Sequence, residues 1–290
     1  MKKIKILIPV YNDWKSVFKL LEKINSEVLA LEVEFSVVIV NDASTEKKPE
    51  FSIDLGNLKS IQVINMKENR GHARCIAAGL KYLINDGDFD YIVTLDGDGE
   101  DRPEELNLLF TKAKENFDKV VVAERIKRSE GFLFRFFYII HVYLTFIFTG
   151  KLIKFGNYTF LPKTFVIEAV NEPALWNSFA GTITKLAKKK VTISSIRGNR
   201  YFGFSKMNFI NLLRHSLSMM SVFKKTLLVR SIFFLIIYLF LIVGSLSVIT
   251  LLPIIGVIVM MIFVNILSKR ENMSELNNSL DNIKEIEKLK

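Results

Sequence analysis

The chain has 290 residues, half of them hydrophobic with 24 phenylalanines, and a formal net charge of +10. That is enough for one good-sized core and too apolar for a purely soluble protein, so part of it is expected in lipid. The single cysteine, Cys75, rules out an internal disulfide and fits a reducing compartment.

Met1-Lys2-Lys3-Ile4-Lys5 opens with basic residues, but the apolar stretch stops at Pro9-Val10, too short for a signal peptide core. The N-terminal part is therefore expected in the cytoplasm. Ile4–Val10, Phe35–Val40, Ile61–Ile64, Tyr91–Leu95 and Val120–Ala123 are short β-branched runs, and Trp14–Leu29 and His72–Leu83 between them have helical patterning. This alternation predicts an α/β fold with a mostly parallel, doubly wound sheet, its ligand-binding loops collected at the carboxyl ends of the strands. Tyr11-Asn12-Asp13, Asn41-Asp42-Ala43-Ser44-Thr45 and Asp96-Gly97-Asp98 should then share one edge.

The next elements bring the chain to the membrane. Phe132–Thr149 has eighteen residues, many aromatic, with Arg135 alone charged. Basic flanks on both sides argue against a crossing, so 132–150 is expected to lie in the membrane interface. Residues 207–226 read as a juxtamembrane amphipathic helix. Ser231–Ser268 lacks any charged residue, about twice the ~20 residues a crossing needs. It predicts a two-helix transmembrane hairpin within 227–268, broken around Gly244–Pro253, both ends cytoplasmic because Lys224, Lys225, Arg230, Lys269 and Arg270 flank it. The tail, 269–290, alternates charge signs and is expected as a solvated helix or disordered.

Charge is unevenly spread. Residues 1–118 carry 16 Lys/Arg and 21 Asp/Glu, whereas 119–230 carry 19 and 4. A basic block suits nucleic acid, anionic lipid or phosphorylated substrates, and the adjoining hydrophobic segment favours the last two over nucleic acid.

Thr94-Leu95-Asp96-Gly97-Asp98-Gly99-Glu100-Asp101-Arg102-Pro103-Glu104 gathers four carboxylates, Asp96, Asp98, Glu100 and Asp101, directly after an apolar run. Carboxylates this close repel unless water or a cation compensates them. Two acids separated by a glycine at a strand end can bring oxygens to a hard divalent cation, Mg²⁺ or Mn²⁺, that also holds a diphosphate. Asp96-Gly97-Asp98 resembles the DxD signature of nucleotide-sugar glycosyltransferases, and the resemblance implies that such a cation stabilises a nucleoside diphosphate as leaving group.

Taken with this stretch, Ile8–Asp13, Val38–Thr45, and Glu68-Asn69-Arg70-Gly71-His72 leading to Ala78-Gly79-Leu80 follow the order seen in family 2 glycosyltransferases of GT-A fold. Arg200-Tyr201-Phe202-Gly203-Phe204-Ser205-Lys206 resembles the RxxGxSK element of their polyprenyl-phosphate branch, the dolichol-phosphate mannose synthase type. The resemblance implies a GT-A domain over 1–206 that moves a sugar, with inversion, from a nucleotide-sugar donor to an undecaprenyl-type polyprenyl phosphate. Pro9, Tyr11, Asp13, Asp42, Arg70, His72 and Asp96 would bind donor, and Asp96 and Asp98 the metal. Asp98, Asp101 and Arg200 would be catalytic, and Arg200, Ser205 and Lys206 would take the acceptor phosphate. It further implies a multi-pass protein of the inner membrane with its catalytic domain cytoplasmic, serving the cell envelope; a homo-oligomer is left open.

Two positions depart from the family pattern. Asn41 stands where a first acid is common, and Lys154 where a DxGxF-like stretch would begin. These keep two alternatives open: a transferase to a sugar or lipid hydroxyl with Asp101 as base, and a non-catalytic membrane scaffold that retains the fold.

Overall fold

The computed structural model describes residues 2–50, 54–127, 132–203 and 209–290. β1 (Lys3–Val10), β2 (Glu34–Asn41), β3 (Ser60–Met66) and β4 (Tyr91–Thr94) form a parallel core in the order β4-β1-β2-β3. α1 (Trp14–Val28) carries the chain from β1 to β2, and α2 (His72–Asp86) from β3 to β4. Both faces of β1 are buried: Ile4, Ile6 and Ile8 join a core with Val17, Leu20 and Leu21 of α1, while Leu7 joins the opposite core with Ile76 and Leu80 of α2. A strand covered on both faces reads as a continuous apolar run, which is why these four were visible in the sequence. Cys75 is buried in α2, its Sγ 3.2 Å from the Val40 carbonyl, a structural thiol.

Beyond β4 the sheet becomes mixed. β5 (Val121–Lys127), β6 (Phe155–Pro162) and β7 (Val191–Ile196) extend it to β7-β5-β6-β4, with β6 antiparallel to both neighbours and β5 parallel to β7. Because β6 runs backwards, its beginning lies beside the carboxyl end of β4, with Thr94 opposite Thr159. That brings Asn157 to the acidic loop. α3 (Leu106–Glu115) packs on the outer strands, and α5 (Lys163–Ala169) and α6 (Phe179–Leu186) follow β6.

α4 (Phe132–Thr149) and α7 (Phe209–Ser221) flank the longest helices, α8 (Lys224–Ile242) and α9 (Val248–Ser268). These two, of 19 and 21 residues, are long and apolar enough to cross a membrane, and most of their large side chains face outward. Tyr238 Oη donates to the Thr250 carbonyl at 3.1 Å, tying them near the turn. The turn falls at 243–247, and Ser247 with Thr250 makes a capping box at the start of α9. Pro253 sits inside α9 and does not break it.

The tail differs from expectation. α10 (Met273–Asn277) packs Leu276 into the core beside α2, and β8 (Ile283–Lys288) pairs antiparallel with β3 as the eighth strand of the sheet. Ile283, Ile286 and Leu289 are three apart, which mimics helical periodicity; an edge strand open to water tolerates polar residues on both faces. The chain thus runs out along α8, back along α9, and rejoins the domain it left.

Candidate active site

The loops after β1, β2 and β4 meet at one edge of the sheet, and hydrogen bonds lace them together. Asn12 is the hub: its backbone N–H donates to Ser44 Oγ at 2.9 Å, its Nδ2 to Thr45 Oγ1 at 2.9 Å, and its Oδ1 accepts from the Thr45 and Glu46 N–H groups. Asn12 and Ala43 hold φ of +50° and +55°, a left-handed backbone that L-residues adopt at a cost of about 1–2 kcal/mol. Such strain persists where surrounding bonds over-determine it, here at the base of a cleft. That cleft, about 280 Å³, is lined by Asp13, Trp14, Glu46, Arg200 and Phe202.

Asp42 is turned inward. Its carboxylate is 5% exposed and accepts from the Arg70 and Gly71 N–H groups, both at 2.9 Å. Burial raises its pKa, offset in part by those two bonds. In this structure the carboxylate clamps the loop that enters α2. Asn41 bonds Asn65 and the Ser44 N–H, a second brace in the place of the absent acid.

The acidic loop after β4 is held by glycine and by ions. A Cβ on Gly97 would lie 2.8 Å from Val17, and Gly99 has φ +87° with Tyr201 against it. Asp96 Oδ1 sits 3.2 Å from His72 Nε2 and accepts from Asn157 Nδ2 at 2.9 Å. Burial pushes Asp96 up, yet His72, Arg125 and the Asn157 bond together hold it well below the usual carboxylate range. His72 is raised in turn: burial works against its charge, and Asp96 outweighs that. Asp98 is pushed up to about 7, first by burial and then by the charges of Asp96 and Glu100.

Asp101 is 3% exposed, ion-paired with Arg125 at 3.0 Å, and it accepts the Asp96 N–H at 3.0 Å. Burial raises its pKa against the pull of Arg125. Placed this way it orders the loop. Sequence reading missed Arg125 and Asn157; the available signals were Arg125 at the end of β5, itself a carboxyl edge of the sheet, and Asn157 inside the DxGxF-like stretch.

The segment 197–201 runs alongside this loop. Gly198 N–H donates to the Glu100 carbonyl at 2.8 Å and Tyr201 N–H to the Asp98 carbonyl at 3.0 Å. Arg197 pairs with Glu100. Arg200 forks between Asp98 Oδ2, at 2.7 Å, and Asp13 Oδ2. Residues nearly two hundred positions apart are thereby joined at one guanidinium. Pro9 is buried at the end of β1 and Tyr11 is 41% exposed at the rim. Arg70 pairs with Glu68 beside His72. Lys154 faces Glu124 of β5 at 3.6 Å. Ser205 and Lys206 lie outside the described residues.

Among the described residues no three His, Cys, Asp or Glu side chains converge to hold a metal ion by themselves. Two carboxylates with a substrate diphosphate are, however, a sufficient oxygen set for Mg²⁺ or Mn²⁺. Asp98 is raised by burial and then by the charges of Asp96 and Glu100, so a further cation beside it would be favourable and the residues fit such an ion, which would share Asp98 with Arg200.

Among the curated proteins that this chain resembles are two named undecaprenyl-phosphate 4-deoxy-4-formamido-L-arabinose transferase. That of Proteus mirabilis (strain HI4320) is 27% identical over 226 residues, covering 73% of this chain and 65% of the relative. That of Photorhabdus laumondii subsp. laumondii is 29% identical over 228 residues with the same coverage. The chain thus spans 65% of the length of these relatives. Among solved structures, mannosyl-3-phosphoglycerate synthase from Rubrobacter xylanophilus superposes with a TM-score of 0.55 at 14% identity, covering 76% of this chain and 72% of that one. Glucosyl-3-phosphoglycerate synthase from Mycobacterium tuberculosis, solved with Mn²⁺, UDP and glucosyl-3-phosphoglycerate, gives 0.52 at 15% identity, covering 79% and 80%. At those identities the likeness speaks for the fold, which is GT-A. Residues 5–187, well over half of the chain, match the family model, and the chain belongs to glycosyl transferase family 2.

Proposed function

We propose that this protein is an inverting, metal-dependent glycosyltransferase that moves a sugar from a nucleotide-sugar donor to a polyprenyl phosphate, anchored by α8 and α9 with its catalytic domain on the cytoplasmic face. The observation that carries this reading is Arg200: the element that resembles an acceptor-phosphate motif is seated directly on Asp98 and Asp13 of the donor loops. The relatives' printed activity, transfer to undecaprenyl phosphate, and the Mn²⁺ and UDP in the mycobacterial neighbour point the same way.

Asp96 and Asp98 would hold a divalent ion, which when bound neutralises charge on the departing diphosphate. Tyr11, Asp13 and the cleft beside Asn12 would receive the nucleotide, with Pro9 shaping its floor. His72 and Arg70, where the chain enters α2, would face the phosphates at a helix N-terminus, where N–H groups favour anions. Asp42 and Asp101 act as positioning residues, the one through the 69–71 loop and the other through the Asp96 backbone.

A lipid phosphomonoester, with its second pKa near ~6, is already anionic at neutral pH and needs no base. Its oxygen would attack the anomeric carbon as the bond to the diphosphate breaks on the opposite face. Arg200, with Ser205 and Lys206, would hold that phosphate, because guanidinium, hydroxyl and ammonium are its usual partners. The buried Asp101–Arg125 pair is what disfavours transfer to a neutral hydroxyl, which would need a free base.

The test is incubation of the full chain with a panel of nucleotide sugars, undecaprenyl phosphate and Mn²⁺ or Mg²⁺, with mass spectrometry of the lipid. A glycosyl-phosphate lipid with one donor is expected. No product with any donor, together with no metal-dependent binding of nucleoside diphosphate by calorimetry, would leave the scaffold reading in its place.

A further inference from the structure

The chain beyond the apolar hairpin comes back to the donor edge of the sheet and grips it in more than one place. β8 pairs antiparallel with β3, and the pairing slips between Asn65 and Met66: Asn65 lies opposite Glu285 and Met66 opposite Ile283, so Lys284 is an extra residue. Such a bulge bends an edge strand and re-aims the side chains beside it. Asn282, just before it, is buried against the segment between β3 and α2. Its Nδ2 donates to the Glu68 carbonyl at 3.0 Å, and its own carbonyl accepts the Lys67 N–H at 2.7 Å. The Asp281 carbonyl accepts from Lys67 Nζ at 2.7 Å. The other end of the same short segment is the one whose Arg70 and Gly71 N–H groups Asp42 holds.

A second grip is a relay of side chains across β8, β3 and β2. Glu285 Oε1 accepts from Asn65 Nδ2 at 3.4 Å, Asn65 Oδ1 from Asn41 Nδ2 at 2.8 Å, and Asn41 Oδ1 from the Ser44 N–H at 3.0 Å. The relay ends at the Asn12 hub, whose N–H donates to Ser44 Oγ. An amide donates at one atom and accepts at the other, whereas an ionised acid at position 41 could only accept and would turn Asn65 Oδ1 toward Glu285. Asn41 is therefore the residue that lets the relay run from β8 to the cleft. The third grip is Glu287, ion-paired with Lys48, whose Nζ lies 6.0 Å from the centroid of the Trp14 ring. Trp14, Lys47 and Pro49 line the cleft. Exposed links of this kind are each weak, but the Asn282 bonds are shielded, and a carbonyl left unpartnered there is costly.

We propose that Asn282 is a positioning residue for the nucleotide-sugar donor, and that β8, through Asn282, Glu285 and Glu287, sets the shape of the donor cleft. This rests on the glycosyltransferase reading, in which Arg70 and His72 would meet the donor phosphates. Asn282 touches no substrate; it acts through the Lys67 and Glu68 backbone on the place of Arg70. The donor site thus depends on a segment that the chain reaches only after α9, far in sequence from every acidic loop.

The experiment uses the full chain in detergent micelles and begins with hydrogen exchange of its backbone amides. In Asn282→Ala the amides of 67–71 should exchange about tenfold faster than in the unaltered protein, while those of β1 and β4 keep their rates. Calorimetry with Mn²⁺ and a panel of UDP, GDP, CDP and ADP reads the consequence. The diphosphate that the unaltered chain binds best should bind Asn282→Ala about fivefold more weakly. In turnover the change should fall on KM for the nucleotide sugar, with kcat nearly unchanged, as for a loss of uniform binding. Glu287→Lys should weaken binding about twofold, and adding Lys48→Glu should restore it, because the pair is remade with its charges exchanged. Lys288→Ala, exposed on the same strand, is the control and should move neither reading. Unchanged exchange at 67–71 in Asn282→Ala overturns the proposal. So does faster exchange over the whole sheet, or a fall in kcat with KM and diphosphate affinity kept, since either makes Asn282 a residue of general stability. If Asn282→Ala folds poorly, the charge exchange decides: Glu287→Lys without effect, or an effect that Lys48→Glu does not reverse, overturns the proposal. Failure of the unaltered chain to bind any of the diphosphates counts against the glycosyltransferase reading, and exchange at 67–71 then decides by itself whether β8 holds that loop.

Discussion

At the carboxyl edge of the sheet, Asp13, Asp98, Glu100 and Asp101 each have a basic partner supplied by the fold, in Arg200, Arg197 and Arg125. Along α8 and α9 the exposed surface is apolar instead, and most of its large side chains have nothing packed over them among the described residues. The first region is compensated from within, which lets the donor loops hold their shape alone and means that a ligand engaging Asp98 must displace or share Arg200. The second is left to whatever surrounds it. Charge inside one domain can be paired by folding, whereas an apolar surface of that length has to be covered from outside.

The comparison can be broken most severely at Arg125. Arg125→Ala leaves Asp101 buried without its cation, and a loss of about 3–5 kcal/mol is expected, read as a large fall in the thermal midpoint of the purified protein; a midpoint unchanged within a degree would mean the pair is not a structural element. Asp98→Asn keeps the shape of the loop and removes its charge. Transfer should drop by about 10²–10³-fold and metal-dependent binding of nucleoside diphosphate should vanish, measured by product formation and calorimetry.

A smaller effect sharpens the role of the 197–201 segment. In Gly99→Ala the new Cβ would lie 2.5 Å from Tyr201, at a φ of +87°. Tyr201 must shift and carry Arg200 off Asp98, lowering the rate about tenfold, with the loss of folding stability no more than the ~1–2 kcal/mol of left-handed strain, read by denaturant unfolding. The mildest probe is pH. Asp98 stands at about 7 against an ordinary 3.8, so a proton competes with the divalent ion on the acid side. Apparent metal affinity should be flat above pH 8 and fall about tenfold per unit below 7; a profile level down to pH 5 would show that Asp98 is not a ligand.

Much of the donor side was legible in one dimension. Strands buried on both faces and glycines at tight turns leave local marks, and Asp13, Asp96 and Asp98 lie in such loops. Asp42 shows the limit: its loop was placed, but that both carboxylate oxygens turn to Arg70 and Gly71 depends on the neighbouring segment. Arg125 was passed over because its partner, Asp101, is 24 residues earlier and nothing local to β5 announces the pair. β6 hid in a stretch read as a motif, and β8 in a charged tail with three-residue spacing.

Residue type and order alone therefore settled which kind of sheet this is, where its acidic loops fall, and that a 38-residue uncharged stretch follows them, because apolar periodicity, glycine backbones and charge-free length act through neighbours along the chain. Tertiary structure alone decided that Arg200 closes on Asp13 and Asp98, that β6 runs backwards to bring Asn157 to Asp96, and that the tail returns as β8. Those facts depend on charge and edge pairing acting through space between elements, and such forces leave no period in the sequence.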